Sequence, residues 1–496
     1  AVLVNSERLR SMSESTGVVF PLVDGKRSTT ATGRGIVADA LRSVDPIGAA
    51  AADRETSWRV GYLIHFRRLV EAGLPSADAA LSIARNGLTS LHSRMQWGDP
   101  DAADAPLAAA FGVPPAPVRT EEVRGTADPE TELSVPYQGD RLSGDALRRR
   151  VDEWISNGVA EPSLAEAIQD VIDHPEWLSL PGTTVVVLGA AAEMGPLRSL
   201  LRWGASVAAV DLPRPGLWQH LLSDAHRSAG RLLLPVRVGE ESLERRAGGD
   251  LIHDLSTVAT WIGDLDGRIV LGNYVYADGA INVRVSSAVD ALTEHVRTLR
   301  APGEVGMSFL ATPTDVFAVP REAVEASVAA YGDRRVSKVL RGPLRALSGG
   351  RLLTRNYAPG EDPGINDSVV TQQGPNYLLA KRIQRWRAAV ARDGGVNVSF
   401  HIAPPTRTRS VIKNRALAAA YAGAHRFGIE VFEPGTSNTL MAALLVRDIM
   451  TGPRPSLGHP WLDEADAAVH GGLWRTAYEP RSALGLAALL GFGASR

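Results

Sequence analysis

The chain of 496 residues contains no cysteine. Disulfides, thiolate metal sites and cysteine nucleophiles are therefore excluded. Lysine is nearly absent as well. Of 53 basic residues only four are lysine, at Lys26, Lys338, Lys381 and Lys413, and the rest are arginine. Arginine is a planar fork that stays charged. A lysine kept in such a chain marks a place where a compact, titratable ammonium does something the fork cannot. Net charge is small, −2, so nothing favours nucleic acid or an anionic membrane as a partner. No apolar run approaches the roughly 20 residues that span a bilayer. The opening AVLVNSERLR lacks the charged-then-apolar layout of a secretory signal, and the absence of cysteine leaves the compartment open but compatible with the cytoplasm. What is present, 44% hydrophobic and 22% charged residues, describes a globular protein with an ample core, too long for one ordinary domain.

Residues 1–180 are predicted as a mostly helical N-terminal region. IVADALRSV, WRVGYLIHFRRLVEAG and SADAALSIARNGLTSLHSRM repeat apolar residues at helical spacing, the last with Ser76 as cap. The Pro-, Ala- and acid-rich stretch DPDAADAPLAAAFGVPPAPVRTEEVRGTADPETEL reads as a connector, followed by two more helices. The scattered His65, His92 and His174 read as packed or surface residues. From residue 181 to 453 strands alternate with helices, the pattern of an α/β fold with a doubly wound parallel sheet. A block at 313–370 interrupts it with the helix REAVEASVAAYG and the basic SKVLRGPLRAL. The tail, 454–496, ends in the apolar ALGLAALLGF, predicted to pack on the body.

Two stretches carry the chemistry. The first runs from Thr184 to Pro215 as strand, glycine turn, helix and strand. Val185–Leu188 is a continuous apolar strand. The turn is Gly189-Ala190-Ala191-Ala192-Glu193-Met194-Gly195. A helix is predicted from Leu197 to about Gly204, and the next strand ends in Asp211. A helix opening just after a buried strand points free N–H groups above the sheet, and a carboxylate at the next strand end can bind a ribose diol. The second stretch is Tyr377-Leu-Leu-Ala-Lys381. Spacing of four puts both side chains on one helix face. An ammonium beside a phenol is expected to lower its pKa, so that the phenol exchanges protons with an alcohol or carbonyl oxygen near neutral pH.

In this order the motifs resemble the short-chain dehydrogenase/reductase superfamily, over about Thr183 to Met450. The turn is similar to that family's GxxxGxG, with Glu193 at the middle glycine. The resemblance implies a Rossmann-like fold and a small-molecule substrate. It also implies hydride transfer between NAD or NADP and a carbonyl or alcohol carbon. Tyr377 would be the acid/base, Lys381 would bind ribose and tune it, and Asn282 would complete a proton relay. The family's catalytic serine has no counterpart at its usual offset, where Gly364 stands. Thr312, Ser308 and Ser368 are the candidates, in that order. Cofactor contacts would come from Gly189, Ala191, Met194, Gly195, Asp211, Asn273, Lys381 and Thr408. Asp254 is a candidate on the adenine side. Asp211 favours NAD, because a carboxylate repels a 2′-phosphate, and Arg214 nearby keeps NADP open. Two other readings stand beside this one. One is a lyase, epimerase or dehalogenase-like enzyme on the same frame. The other is a non-catalytic binding protein. A homo-oligomer is compatible with all three.

Overall fold

Val185, Val186 and Val187 are fully buried although they are consecutive. A strand can do this only when both faces of its sheet are covered. In the computed structural model, which describes residues 15–333, 342–343, 346 and 348–491, they lie mid-strand in a seven-stranded sheet. Its strands in chain order are β1 (Val118–Arg124), β2 (Thr183–Leu188), β3 (Ser206–Val210), β4 (Arg231–Arg237), β5 (Arg268–Asn273), β6 (Val305–Ala311) and β7 (Val398–Ile402). Their spatial order is β7-β6-β5-β2-β3-β4-β1. β2 to β7 run parallel, and β1 alone is antiparallel, on the edge beside β4. The chain thus builds outward from β2 through β3 and β4, then returns to the other side of β2 for β5, β6 and β7. The crevice between β2 and β5 is where the strand order reverses.

Two apolar cores lie on the two faces. Val186, Leu188, Val210, Ile269 and Leu271 join one core; Val185, Val187, Val207, Ala209 and Val270 join the other. Four helices frame the site: α1 (Leu197–Arg202), α2 (Ala280–Leu299), α3 (Gly374–Asp393) and α4 (Pro434–Thr451). Leu378, Leu379, Ile383 and Trp386 of α3 belong to the first core, Leu440 to Val446 of α4 to the second.

The predicted N-terminal helices form at Thr29–Leu41, Trp58–Glu71 and Ala77–Arg94. The Ser76 hydroxyl accepts the Ala79 N–H at 3.1 Å, as a cap should. Ile36, Tyr62, Phe66 and Leu91 share the first core with the sheet, so this part is packed into the body. The predicted connector is corrected in part. Within it, VRTEEVR forms β1 and hydrogen-bonds β4 along seven residue pairs. Its charges concealed it. Arg119, Glu121, Glu122 and Arg124 face solvent and pair with one another or with Arg231, as suits an edge strand.

The 313–370 block contains an antiparallel hairpin, Val316–Val319 with Gly364–Asp367, and the helix Arg321–Asp333. The Ser368 N–H donates to the Asp315 carbonyl at 3.2 Å, so the block leaves and rejoins the body at adjoining points. Of the predicted basic segment SKVLRGPLRAL, all but residues 342, 343 and 346 lies outside the described residues. The tail helix forms at Pro480–Gly491 and packs on the helix Arg415–Gly423. The approach is close enough that a Cβ at Gly423 would fall 2.0 Å from the Ala487 carbonyl oxygen. Among the described residues, no helix is long and apolar enough to cross a membrane.

Candidate active site

The glycine turn sits at the β2–β5 crevice. Leu188 pairs with Asn273, so the two strand ends are level. Gly189 has φ +83°, and a Cβ there would stand 2.9 Å from the Tyr274 carbonyl oxygen and 3.0 Å from Val275 Cα. Only glycine allows this backbone approach. Ala191 donates its N–H to the Asp211 carboxylate at 2.8 Å, and Leu212 donates to the other oxygen at 2.7 Å. Burial raises the Asp211 pKa, and these two amides together with Arg214 act against the rise. Asp211 therefore ties the turn to the end of β3. Met194 packs on the second core and Gly195 is buried.

α1 has six residues, Leu197–Arg202, with Trp203 as its C-cap and Gly204 closing it at φ +82°, as expected. Glu193 accepts the Arg409 N–H at 2.9 Å, and its carbonyl accepts the Asn438 amide at 3.1 Å. The carboxylate thereby caps the helix Arg409–Lys413 and spans from the glycine turn to the loop after β7. Thr408, at the N-terminus of that helix, has its hydroxyl on Ser410 at 2.9 Å. Asp254 accepts the Asp250 N–H at 2.9 Å and so closes a local turn before its own helix.

The other half is α3. Positions 377, 381 and 384 share one face, at intervals of four and three. Thr312, just past the end of β6, lies close enough to Tyr377 to act on its phenol, and its own hydroxyl is 2.9 Å from that of Thr314. Lys381 donates to the Leu310 carbonyl at 3.2 Å and to Gln384 Oε1 at 3.4 Å. Gln384 donates in turn to Asn273 Oδ1, at the end of β5, at 3.2 Å. Thr312, Asn273, Tyr377 and Lys381 are thus gathered at the carboxyl ends of β5 and β6.

The electrostatics of the pair differ from expectation. Burial pushes the Tyr377 phenol up to about 12, against the influence of the nearby Thr312 hydroxyl and with help from the Asp315 charge. Burial brings the Lys381 ammonium down to about 8, with Asp315 acting the other way. Lys381 is not among the groups that move Tyr377. Desolvation outweighs the expected stabilisation of the phenolate.

The remaining candidates lie elsewhere. Ser308 is on the opposite face of β6 from α3, its hydroxyl 2.6 Å from that of the buried Tyr274. Ser368 donates to Asn366 at 2.5 Å inside the hairpin. Asn282 accepts the Ala277 N–H at 3.3 Å in the first turn of α2, bracing the loop after β5. The link between Lys381 and the strand ends runs through Gln384, which the motif search passed over. Its signal was its place three residues after Lys381. Thr314, 2.9 Å from Thr312, and Tyr276, its ring in edge contact with Tyr377 at 6.2 Å, were missed too.

α3 is fixed in place by arginines. Arg382 and Arg385 both reach Asp315 at 3.1 Å. Arg385 also grips Glu464 at 2.7 and 2.8 Å, and Arg387 grips Asp290 with two bonds of 2.8 Å. Compared with protein-family models, curated proteins and solved structures, the chain matches none.

Proposed function

We propose that the chain is a Rossmann-like NAD(P)-dependent oxidoreductase of the short-chain dehydrogenase/reductase kind, acting at a carbonyl or alcohol carbon. The observation that carries this is the placement of Tyr377 beside the Thr312 hydroxyl, with Lys381 one turn along α3, near the strand-order switch point. Tyr377, held near 12, keeps its proton at neutral pH and is a donor to a carbonyl oxygen. Thr312 orients that hydroxyl and holds the substrate oxygen beside it. Lys381, titrating near 8, and Gln384 connect this end of α3 to Asn273 and fix the lysine beside the site.

The turn at Gly189 follows β2 at the point where the strand order reverses, the place where a doubly wound sheet takes a dinucleotide. Gly189, Ala191, Met194 and Gly195 would face its phosphates. Asp211 would take the adenosine ribose, in favour of NAD, and Lys381 the second ribose, with Asn273 and Thr408 toward the nicotinamide. When bound, the dinucleotide supplies or accepts the hydride. Glu193 does not suit the phosphates where it stands and has to leave the Arg409 amide.

That bridge, with the pairing of Asp211 to Ala191, favours one second reading: acid–base chemistry at Tyr377 without a dinucleotide, as in a lyase or epimerase. Turnover of a carbonyl panel separates the two. The oxidoreductase consumes NADH or NADPH, and Tyr377→Phe abolishes that consumption while dinucleotide affinity is retained. Product formed with no dinucleotide present would establish the second reading.

A further inference from the structure

One stretch of the chain carries charge of a single sign. Between Asp393 and Glu430 there is no carboxylate side chain, while five residues are arginine or lysine. Four of these, Arg407, Arg409, Lys413 and Arg415, fall within nine positions, and all four are exposed. The chain as a whole holds 55 acidic and 53 basic residues, so the excess is local. The arginines of α3 are neutralised, as at Arg385 and Arg387. Here Arg407 reaches Glu433 only at 3.8 Å, and Arg409, Lys413 and Arg415 form no ion pair among the described residues. Lys413 is also one of the four lysines kept in an arginine-rich chain.

The backbone fixes where these charges stand. The segment leaves β7 beside Thr312, since the Ala403 N–H donates to the Ala311 carbonyl at 3.1 Å. The Arg407 N–H is held on the Phe432 carbonyl at 3.0 Å. Two residues on, the Arg409 N–H meets the Glu193 carboxylate of the glycine turn at 2.9 Å. The segment therefore crosses the carboxyl ends of the strands, from β6 to the turn after β2. Arg409 and Lys413, four apart on one short helix, share a face, and Arg415 opens the next helix. Glu193 is an anion already seated against this segment. It meets the backbone and forms no ion pair with the side chains, which remain available. An arginine fork and a lysine point charge are the pair of groups that phosphate oxygens recruit.

We propose that Arg409 and Lys413 form an anion site at the mouth of the crevice, that it takes a phosphate group of the ligand that enters, and that Glu193 is the internal anion this phosphate displaces. The site follows from the segment itself. Only the source of the phosphate, a dinucleotide or a phosphorylated substrate, rests on the function proposed above. The single charge of Glu193 sets the threshold. A multiply charged phosphate outcompetes it at the two cations, and a neutral ligand does not.

Binding can be measured without turnover. Inorganic pyrophosphate and NADH are titrated by calorimetry into the full chain, into Glu193→Gln and into the double variant Arg409→Gln/Lys413→Gln, whose substituted side chains are exposed and form no ion pair in the fold. Pyrophosphate should bind the wild type and weaken as salt is raised. The double variant should bind it at least about tenfold more weakly, as the loss of charge-assisted contacts requires. Glu193→Gln, which removes a like charge, should bind it about two- to fivefold more tightly. Pyrophosphate binding to neither the wild type nor Glu193→Gln, or binding that the double variant retains in full, overturns the site. An unchanged affinity in Glu193→Gln overturns the displacement of Glu193 but not the two cations. NADH that is weakened by the double variant and displaced by pyrophosphate identifies the phosphate as the dinucleotide's. NADH that binds alongside pyrophosphate and ignores the double variant keeps the site and assigns it to a phosphorylated substrate. Pyrophosphate binding lost in the double variant, with no NADH binding to any form, keeps the site and overturns the dinucleotide reading.

Discussion

Lys381→Met asks whether this lysine is kept against the stability of the fold. The ammonium has two hydrogen-bond acceptors, the Leu310 carbonyl and Gln384, and forms no salt bridge. Asp315, the carboxylate that acts on it, is already held by Arg382 and Arg385. Burial takes Lys381 from its ordinary 10.5 to about 8. At about 1.4 kcal/mol per unit, holding it charged at pH 7 costs roughly 3 kcal/mol. Methionine removes that cost and leaves two acceptors unpaired, a loss of about 1–2 kcal/mol. The variant should therefore be more stable than wild type at pH 7, by roughly 1–2 kcal/mol. The sign of the pH dependence follows from linkage. Between about 8 and 10.5 the unfolded lysine binds more protons than the folded one, so wild-type stability rises with pH relative to the variant. From pH 7 to 9.5 wild type should gain about 2 kcal/mol on the variant, enough to cancel the variant's lead. Urea denaturation of both proteins at the two pH values measures this. Curves separated by the same amount at both, or a variant several kcal/mol less stable at pH 7, would refute a charged, desolvated Lys381.

Four further outcomes follow. Thr312→Val removes the hydroxyl beside Tyr377 and should lower turnover about tenfold or more; a rate and pH profile identical to wild type would separate Thr312 from the chemistry. Because Tyr377 is held near 12, the oxidation direction should keep rising with pH above neutrality while carbonyl reduction stays flat, and a fall of both near pH 7 would contradict the assignment. Gly189→Ala forces a Cβ into a left-handed backbone position against Tyr274 and should lower the unfolding free energy by about 2–4 kcal/mol; an unchanged urea midpoint would show that the loop yields freely. Arg385→Met strips Asp315 and Glu464 of a shared partner and should cost about 3–5 kcal/mol, visible as a clear drop in Tm.

The parallel strands were legible because unbroken runs such as Val185–Leu188 have no other way to be buried. That Tyr377 and Lys381 share a helix face was legible from their spacing, and that Thr312 stands at a strand end from the apolar run before it. Composition hid β1, since an edge strand wears charges that read as a linker. The tyrosine pKa was misjudged because spacing reports a shared helix face, while desolvation depends on what folds over it. Ser308 was a strand residue whose facing could not be told without the register that sets it toward Tyr274. Glu193 was flagged as an intruder in the turn, yet its partner, the Arg409 amide, lies 216 residues away and leaves no local trace.

The central claim is that a dinucleotide crevice ends at Tyr377. NADH fluorescence titration of wild type, Glu193→Gly and Asp211→Ala tests it most directly. Saturable one-to-one binding to wild type, tighter binding to Glu193→Gly and a larger loss for NADH than for NADPH in Asp211→Ala are the predicted results. No binding of either dinucleotide to wild type or to Glu193→Gly would contradict the account.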